Sequence, residues 1–334
     1  MTVDPSVASS TTLSTIAPTV SVVIPTRNRP RLVRRAVESA LLQTYSPLEV
    51  LVVLDGVDPE TENMLAEIVS DTRDVRLRLI RNQENQGGAQ ARNIGVHHAH
   101  GDWIAFLDDD DEWLPQKLEK QMNQLLTSSH KQPVGTCRLI ARREGGDLVW
   151  PYRRPQEQEP LSEYLLCRRS FAYGEGVIQT STIVAQKTLL LQQPFLSSLT
   201  RHHDWDWVLR VAKYEGATFE WAWEPLVIFH LERGRQSIHG RTSWLESLRW
   251  AHNNPLLTPR AFSHFAAIQI APRLHLFRDY RLLPHLLQSL FQNGSLEPRA
   301  IAYGLLFFFT PTSILKNISQ RNLLSRQMSP QKTS

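Results

Sequence analysis

An α/β fold, a mostly parallel sheet flanked by helices with a helical C-terminal extension, is what this chain predicts. Three observations carry that expectation. Apolar runs alternate with segments of helical period through the first 130 residues. The apolar runs are continuous rather than alternating, as in strands buried on both faces. Beyond Trp244 the strand-like runs stop, and helical stretches broken near Pro255, Pro284, Pro298 and Pro311 take over.

Each element follows in order. Val20–Ile24 is a short β-branched strand ending at Pro25, and Arg31–Gln43 spaces Leu32, Ala36, Val37, Ala40 and Leu41 as one helical face. Val50–Leu54 is a second strand, closed by Asp55-Gly56, and Glu60–Ser70 a helix with Met64, Leu65 and Ile68 on one side. Arg76–Ile80 is the third strand, Gly88–His98 the third helix, Trp103–Leu107 the fourth strand and Pro115–Ser128 the helix after it, with proline tolerated in its first turn. The middle is less regular: strands over Val134–Ile140 and Asp147–Trp150, a mobile polar loop over Arg153–Pro160, and a strand over Gln179–Val184. A helix over Asp204–Tyr214 and an aromatic strand over Thr218–His230 follow.

Ligands of parallel sheets bind beyond the carboxyl ends of the strands. Three polar segments occupy such ends: Pro25-Thr26-Arg27-Asn28, Asp55-Gly56-Val57-Asp58 and Asp108–Asp111. The last is the most telling. The apolar run Ile104–Leu107 stops at four consecutive aspartates with Glu112 behind them. Such a cluster repels itself, so its members take up protons or find a cation. Hard oxygen ligands suit Mg²⁺ or Mn²⁺, and Mg²⁺ is usually held by one or two carboxylates together with substrate phosphates. An acidic loop that merely favours the start of the next helix needs only two or three acids.

Composition narrows the classes. The chain has 334 residues and a net charge of +4, distributed unevenly: from Arg260 onward nine Lys/Arg face two Asp/Glu, and the part before carries a net −3. A basic C-terminal part with apolar stretches points to an anionic surface, yet no apolar run is long enough to span a bilayer. The stretch Ala300–Phe309, with Arg299, Lys316 and Arg321 near it, suits either a membrane interface or packing on the rest of the chain. The basic residues form no nucleic-acid-binding motif. Cys137 and Cys167 make neither a disulfide framework nor a zinc site, which fits a reducing, cytoplasmic setting. Residues 1–17 lack the basic start and apolar core of a signal peptide and read, like 323–334, as a disordered tail.

Four segments carry a resemblance to a known family. Ser21-Val22-Val23-Ile24-Pro25-Thr26-Arg27-Asn28-Arg29, Asp55, Asn85-Gln86-Gly87-Gly88-Ala89-Gln90-Ala91-Arg92-Asn93-Ile94-Gly95 and the acidic run behind Phe106-Leu107 occur in the order found in family 2 glycosyltransferases. The resemblance spans roughly residues 19 to 235. It implies a GT-A (Rossmann-like) domain over 18–240; the helical region over 241–322, read from its own residues, contacts a membrane or packs on that domain. The implied activity is inverting transfer of a sugar from a nucleotide-diphospho-sugar, a UDP-sugar, to a hydroxyl of a glycan or lipid-linked acceptor at the inner face of a membrane. Pro25, Thr26 and Asn28 match the loop at the nucleotide base, Asp55 an acid that binds uridine, and Arg92 a position near the nucleotide, or else a solvated helix residue. Leu54 stands where many relatives have a first acid. Asp108 and Asp110 fit the Asp-x-Asp motif: Asp108 faces ribose and diphosphate, Asp110 binds the metal, Asp109 touches the nucleotide, and Asp111 starts a helix or supports the others.

The base is expected in His202-His203-Asp204-Trp205-Asp206-Trp207, which resembles the family's Glu-Asp motif with His203 in the Glu place. Asp204 takes the base position, although a helix N-cap also accounts for it. Asp206 competes with it, and Trp205 is an acceptor-site wall or core. His230 either completes the metal shell or is structural, and Arg233 and Arg235 could close over the diphosphate. Two rivals stand beside this reading: a nucleotidyltransferase, which would want a glycine-rich loop in place of Pro25–Pro30, and a nucleotide-sugar-binding or membrane scaffold protein without catalysis, suggested by His203.

Overall fold

The structure, a computed structural model, describes residues 17–72, 74–170, 174–231, 243–276, 280–310 and 314. Arg233, Arg235, Lys316, Arg321 and all but one residue of the two expected tails lie outside these residues. The chain runs β1 (Val20–Thr26), α1 (Pro30–Leu41), β2 (Leu48–Asp55), α2 (Pro59–Thr72), β3 (Leu77–Asn82), α3 (Gly88–His98), β4 (Trp103–Phe106), β5 (Glu112–Trp113) and α4 (Lys117–Leu126). Next come β6 (Gln132–Arg142), β7 (Leu148–Trp150), α5 (Leu161–Leu166), a 3₁₀ turn (Thr180–Thr182), β8 (Val184–Gln186), α6 (Lys187–Gln192), α7 (His203–Val211) and β9 (Ala217–His230). The helical part comprises α8 (Ser243–His252), α9 (Pro259–Phe265), a π-helical segment (Ala266–Ile270), α10 (Ala271–Leu276), a second 3₁₀ turn (Tyr280–Leu282), α11 (Leu283–Asn293) and α12 (Pro298–Phe309).

The strands form one sheet in the order β3-β2-β1-β4-β8-β6-β9-β5, with β7 pairing with β6 off this path. Its first half, β3-β2-β1-β4, is parallel, as expected from the β-α alternation. The second half is mixed: β8 runs antiparallel to β4 and β6, and β6 and β9 are parallel to each other. Side chains alternate across the sheet. Val20, Val22 and Ile24 of β1 belong to one core together with residues of α1 and α4, whereas Val23 belongs to a second core together with Phe106 and residues of α3 and of the helices from α5 to α9. Trp244, Leu248, Phe262 and Phe265 belong to that second core, so α8 and α9 are built onto the sheet layer.

Three expectations are corrected. Gln179–Val184 is not a strand: residues 180–182 form the 3₁₀ turn, and the strand starts at Val184. The loop around Arg153–Pro160 is pinned, because Glu159 accepts two bonds from Arg153 (2.6 and 2.8 Å) and one from Arg169 (3.0 Å). β1 continues through Pro25 to Thr26. Pro25 fits there because β4 pairs with β1 only as far as Val23, so the missing N–H interrupts no ladder on that side. The β1–β4 ladder ends at Val23 and Phe106, while β1 stays paired with β2 as far as Thr26.

Under the sheet, α4 carries Lys117 with a fully buried side chain whose Nζ lies 3.9 Å from the centre of the Trp113 ring. Burial pushes its pKa down to about 7. Between about pH 7 and pH 10 the unfolded chain then binds the proton more tightly, so stability rises with pH across that window and falls on acidification. Denaturant midpoints measured across this range should show that slope, and Lys117→Met should remove it while making the protein more stable at neutral pH.

Candidate active site

The ends of β1, β2 and β4 gather the expected residues into one connected network. Asp108–Asp111 follows β4 directly, and ligand oxygens of Asp108, Asp110 and Asp111 lie within 4.8 Å of one another. Asp110 and Asp111 are buried and Asp108 is half-buried. Three mutually close carboxylates cannot all stay ionised without compensation, and the chain supplies part of it. Arg92 donates to Asp108 Oδ1. Arg29 Nη1 donates to Asp109 Oδ1 (3.0 Å) and Asp110 Oδ2 (3.2 Å). Gln179 Nε2 donates to Asp108 Oδ2 (3.0 Å) and Asp111 Oδ2 (2.8 Å). The group offers hard oxygen donors with two arginines among four acids, a set that fits a divalent cation.

Asp111 is not a helix start. The strand β5 intervenes before α4, and Asp111 accepts from Ser181 Oγ (2.7 Å) inside the acid group. Asp109 lies outside the triad but shares Arg29 with Asp110: it accepts from Thr26 Oγ1 (2.8 Å) and from Arg29. Burial raises its pKa to about 6, against the lowering effect of Arg29.

The loops after β1 and β2 are tied together. Asp58 accepts from the Asn28 amide (2.7 Å) and from Thr61 N and Oγ1 (3.1 and 2.5 Å), so it caps α2 and holds Asn28 in the left-handed region, with φ 53°. Asp55, at the end of β2, accepts from the Gln86 and Gly87 amides (2.7 and 2.9 Å). Gly87 has φ 86°, a conformation that favours glycine, and this corner starts α3. α3 delivers Arg92, which is buried, not solvated. Its Nη1 donates to Gly88 O (3.0 Å) and to His203 Nε2 (3.0 Å) while Nη2 holds Asp108.

Through Arg92 the acid group meets α7. His203 is neutral here, its pKa held down by burial and then by the Arg92 charge. The N-cap of α7 is His202, so Asp204 lies in the first turn and is not the cap. Among the described residues, Asp204 makes no hydrogen bond or ion pair. Asp206 is committed: it accepts from Arg210 Nε (2.8 Å) and Trp250 Nε1 (3.2 Å) and is buried. Trp205 stacks on His202, with ring centres 5.0 Å apart, and packs beside Trp250 and Phe265.

His230 stands apart from the acid triad. Its Nε2 bonds Glu112 Oε1 at 2.6 Å. Glu112 pairs with Arg35, which donates to the Asp110 carbonyl (2.8 Å), so His230 reaches the acids through two intermediaries. Sequence reasoning missed Gln179, Ser181 and Arg35. The run Gln179-Thr180-Ser181-Thr182 held a usable signal: polar, hydroxyl-rich residues directly before an apolar strand.

The family model for glycosyl transferase family 2 matches residues 21–183. The amylovoran biosynthesis glycosyltransferase AmsB of Erwinia amylovora is 30% identical over 261 residues, covering 76% of this chain and 83% of that protein. The chain belongs to glycosyltransferase family 2. A family 2 glycosyltransferase is an enzyme that works on nucleotide-sugar donors, so the nucleotidyltransferase and scaffold alternatives fall away. A second relative is the UDP-Glc:alpha-D-GlcNAc-diphosphoundecaprenol beta-1,3-glucosyltransferase WfgD of Escherichia coli, 32% identical over 138 residues, covering 41% of this chain and 52% of that protein. Two solved structures share the GT-A fold. TarS 1–349 of S. aureus, in complex with UDP-GlcNAc, matches with a TM-score of 0.60 and 14% identity over 95% of this chain and 94% of that one. The mannosyltransferase PcManGT from Pyrobaculum calidifontis, in complex with GDP-Man and Mn2+, matches with a TM-score of 0.52 and 17% identity over 94% and 87%.

Proposed function

We propose that this glycosyltransferase inverts configuration while moving a sugar from a UDP-sugar to a hydroxyl of a glycan or lipid-linked acceptor, in the assembly of a cell-surface polysaccharide. It works on the cytoplasmic side of the membrane that presents the acceptor. The observation that carries the reading is the convergence of Asp108, Asp110 and Asp111 at the end of β4, joined through Arg92 and His203 to the turn that bears Asp204. The donor and acceptor classes are supported by the names of WfgD, TarS and AmsB.

In this reading Asp110 is the metal ligand, with Asp108 and Asp111 close enough to share the ion, and His230 stays on Glu112. Mg²⁺ or Mn²⁺, when bound, stabilises the charge that develops on the diphosphate leaving group. Pro25, Thr26 and Asn28 line the base and ribose side. Asp55 accepts from the uracil while keeping its two backbone amides, which a carboxylate with about four lone-pair sites allows. Asp109, turned toward Thr26 and Arg29, fixes the β1 end rather than binding the donor. Asp204, free of protein partners among the described residues, takes the proton of the attacking hydroxyl. Attack proceeds opposite the departing UDP, and the anomeric centre inverts without a covalent enzyme intermediate.

A panel of nucleotide sugars screened by thermal shift, with Mn²⁺ and with EDTA, tests the donor. UDP-sugars with metal should raise the melting temperature by a few degrees, EDTA should remove the shift, and GDP- and ADP-sugars should give none. A shift of equal size in EDTA contradicts the metal assignment. NMR of the product's anomeric configuration tests inversion.

A further inference from the structure

The C-terminal helices carry exposed apolar side chains that play no part in the catalytic site. On α11, Leu286 and Ser289 turn inward, while Leu287 is 56% and Phe291 90% exposed. Leu296, in the connection to α12, is 90% exposed. On α12, Ala300 and Tyr303 turn inward, and Ile301 and Leu305 are 48% and 57% exposed. The spacing is helical on both helices, 287/291 and 301/305, so each keeps one apolar side inward and another outward. Exposed apolar side chains scattered singly are ordinary, but a succession along two consecutive helices marks a contact surface.

Charge selects the partner. Arg281, just ahead of α11, and Arg299, in the first turn of α12, are exposed. The acid of the region, Glu297, is engaged by Arg260 (3.2 Å) and by His264 Nε2 (2.5 Å), so among residues 280–310 no exposed carboxylate offsets the cations. From Arg260 onward the sequence carries nine Lys/Arg against two Asp/Glu. A second copy of the chain would bring like charge to like charge. An anionic bilayer offers opposite charge around an apolar interior. No helix among the described residues is long and apolar enough to cross a membrane, and α12, with 12 residues, is about 18 Å long. That length suits a helix lying in the plane of the interface.

We propose that the outward faces of α11 and α12, with Leu296 between them, dock on the surface of an anionic lipid bilayer. The inference deepens the lipid-linked-acceptor reading, and its test reads lipid binding rather than transfer, so the two can fail separately.

The full-length protein is to be floated with phosphatidylcholine vesicles, with and without phosphatidylglycerol. The expected result is binding to the anionic vesicles that weakens as salt is raised. The double variant Phe291→Ser/Leu296→Ser should lose at least about tenfold in binding, and Ile301→Ser/Leu305→Ser should lose a comparable factor. Both should keep transfer to a water-soluble acceptor and, because the side chains are exposed, the melting temperature of the parent. Binding that is unchanged in both variants overturns the proposal. So does failure to float with anionic vesicles, or a concentration-dependent dimer that the same substitutions dissolve.

Discussion

Asp204→Asn is expected to lower the transfer rate by about 10²- to 10⁴-fold, the range removed with a general base, while leaving UDP affinity and melting temperature close to those of the parent. The physical grounds are local. Asp204 sits in the first turn of α7 beside His203, whose ring is fixed by Arg92, and Arg92 in turn holds Asp108. Its carboxylate makes no hydrogen bond or ion pair with the described residues, so the amide disturbs little of the fold. Asp206 gives the contrast. It is tied to Arg210 and Trp250, so Asp206→Asn should lower the melting temperature more than Asp204→Asn and reduce turnover less. Steady-state rates set beside UDP titrations decide the matter. If Asp204→Asn keeps full turnover, or Asp206→Asn alone abolishes it, the base assignment is wrong.

Asp110→Asn should have the second large effect. Asp110 is buried, shares Arg29 with Asp109, and has its carbonyl held by Arg35. The amide keeps the shape and removes the charge on which a divalent ion depends. Metal-dependent UDP binding should weaken by about 10²-fold or more, as expected when several kcal/mol of ion-mediated stabilisation of the diphosphate are lost. Binding measured in EDTA should hardly change. Arg29 retains Asp109 and the backbone contact from Arg35 remains, so the fold should survive. Calorimetric titration of UDP with and without Mn²⁺ separates the two quantities. Equal metal dependence in parent and variant would move the ion to Asp108 and Asp111.

The parallel half of the sheet was legible because its information is local. Val20–Ile24, Val50–Leu54 and Trp103–Leu107 are short apolar runs, each followed by a polar strand end, and topology then gathers those ends whatever their separation in sequence. The acid cluster was legible for a similar reason, since four adjacent aspartates after a buried strand are hard to explain structurally. What the sequence hid depends on distant pairing. Gln179 and Ser181 lie about 70 residues from the acids they bind, and their polar run imitates a strand. Arg92 could not be told from a solvated helix residue until Asp108 and His203 closed around it. His230 looked like a ligand because it follows a strand, yet β9 pairs with β5 and sets its ring against Glu112. The helical C-terminal part was visible as a class, but whether a given apolar side faces inward or outward depends on packing against the π-helical segment, α9 and α10.

The central claim is that aspartates from separate parts of the chain meet around one dication beside a pyrophosphate. A crystal soaked with UDP and Mn²⁺, with anomalous scattering collected for manganese, addresses it directly. A single manganese peak is expected in contact with the Asp110 carboxylate and the diphosphate, with uracil beside Asp55 and Asp204 facing the opposite side of the sugar site. A peak remote from Asp108–Asp111, or UDP bound away from the ends of β1 and β4, would contradict it.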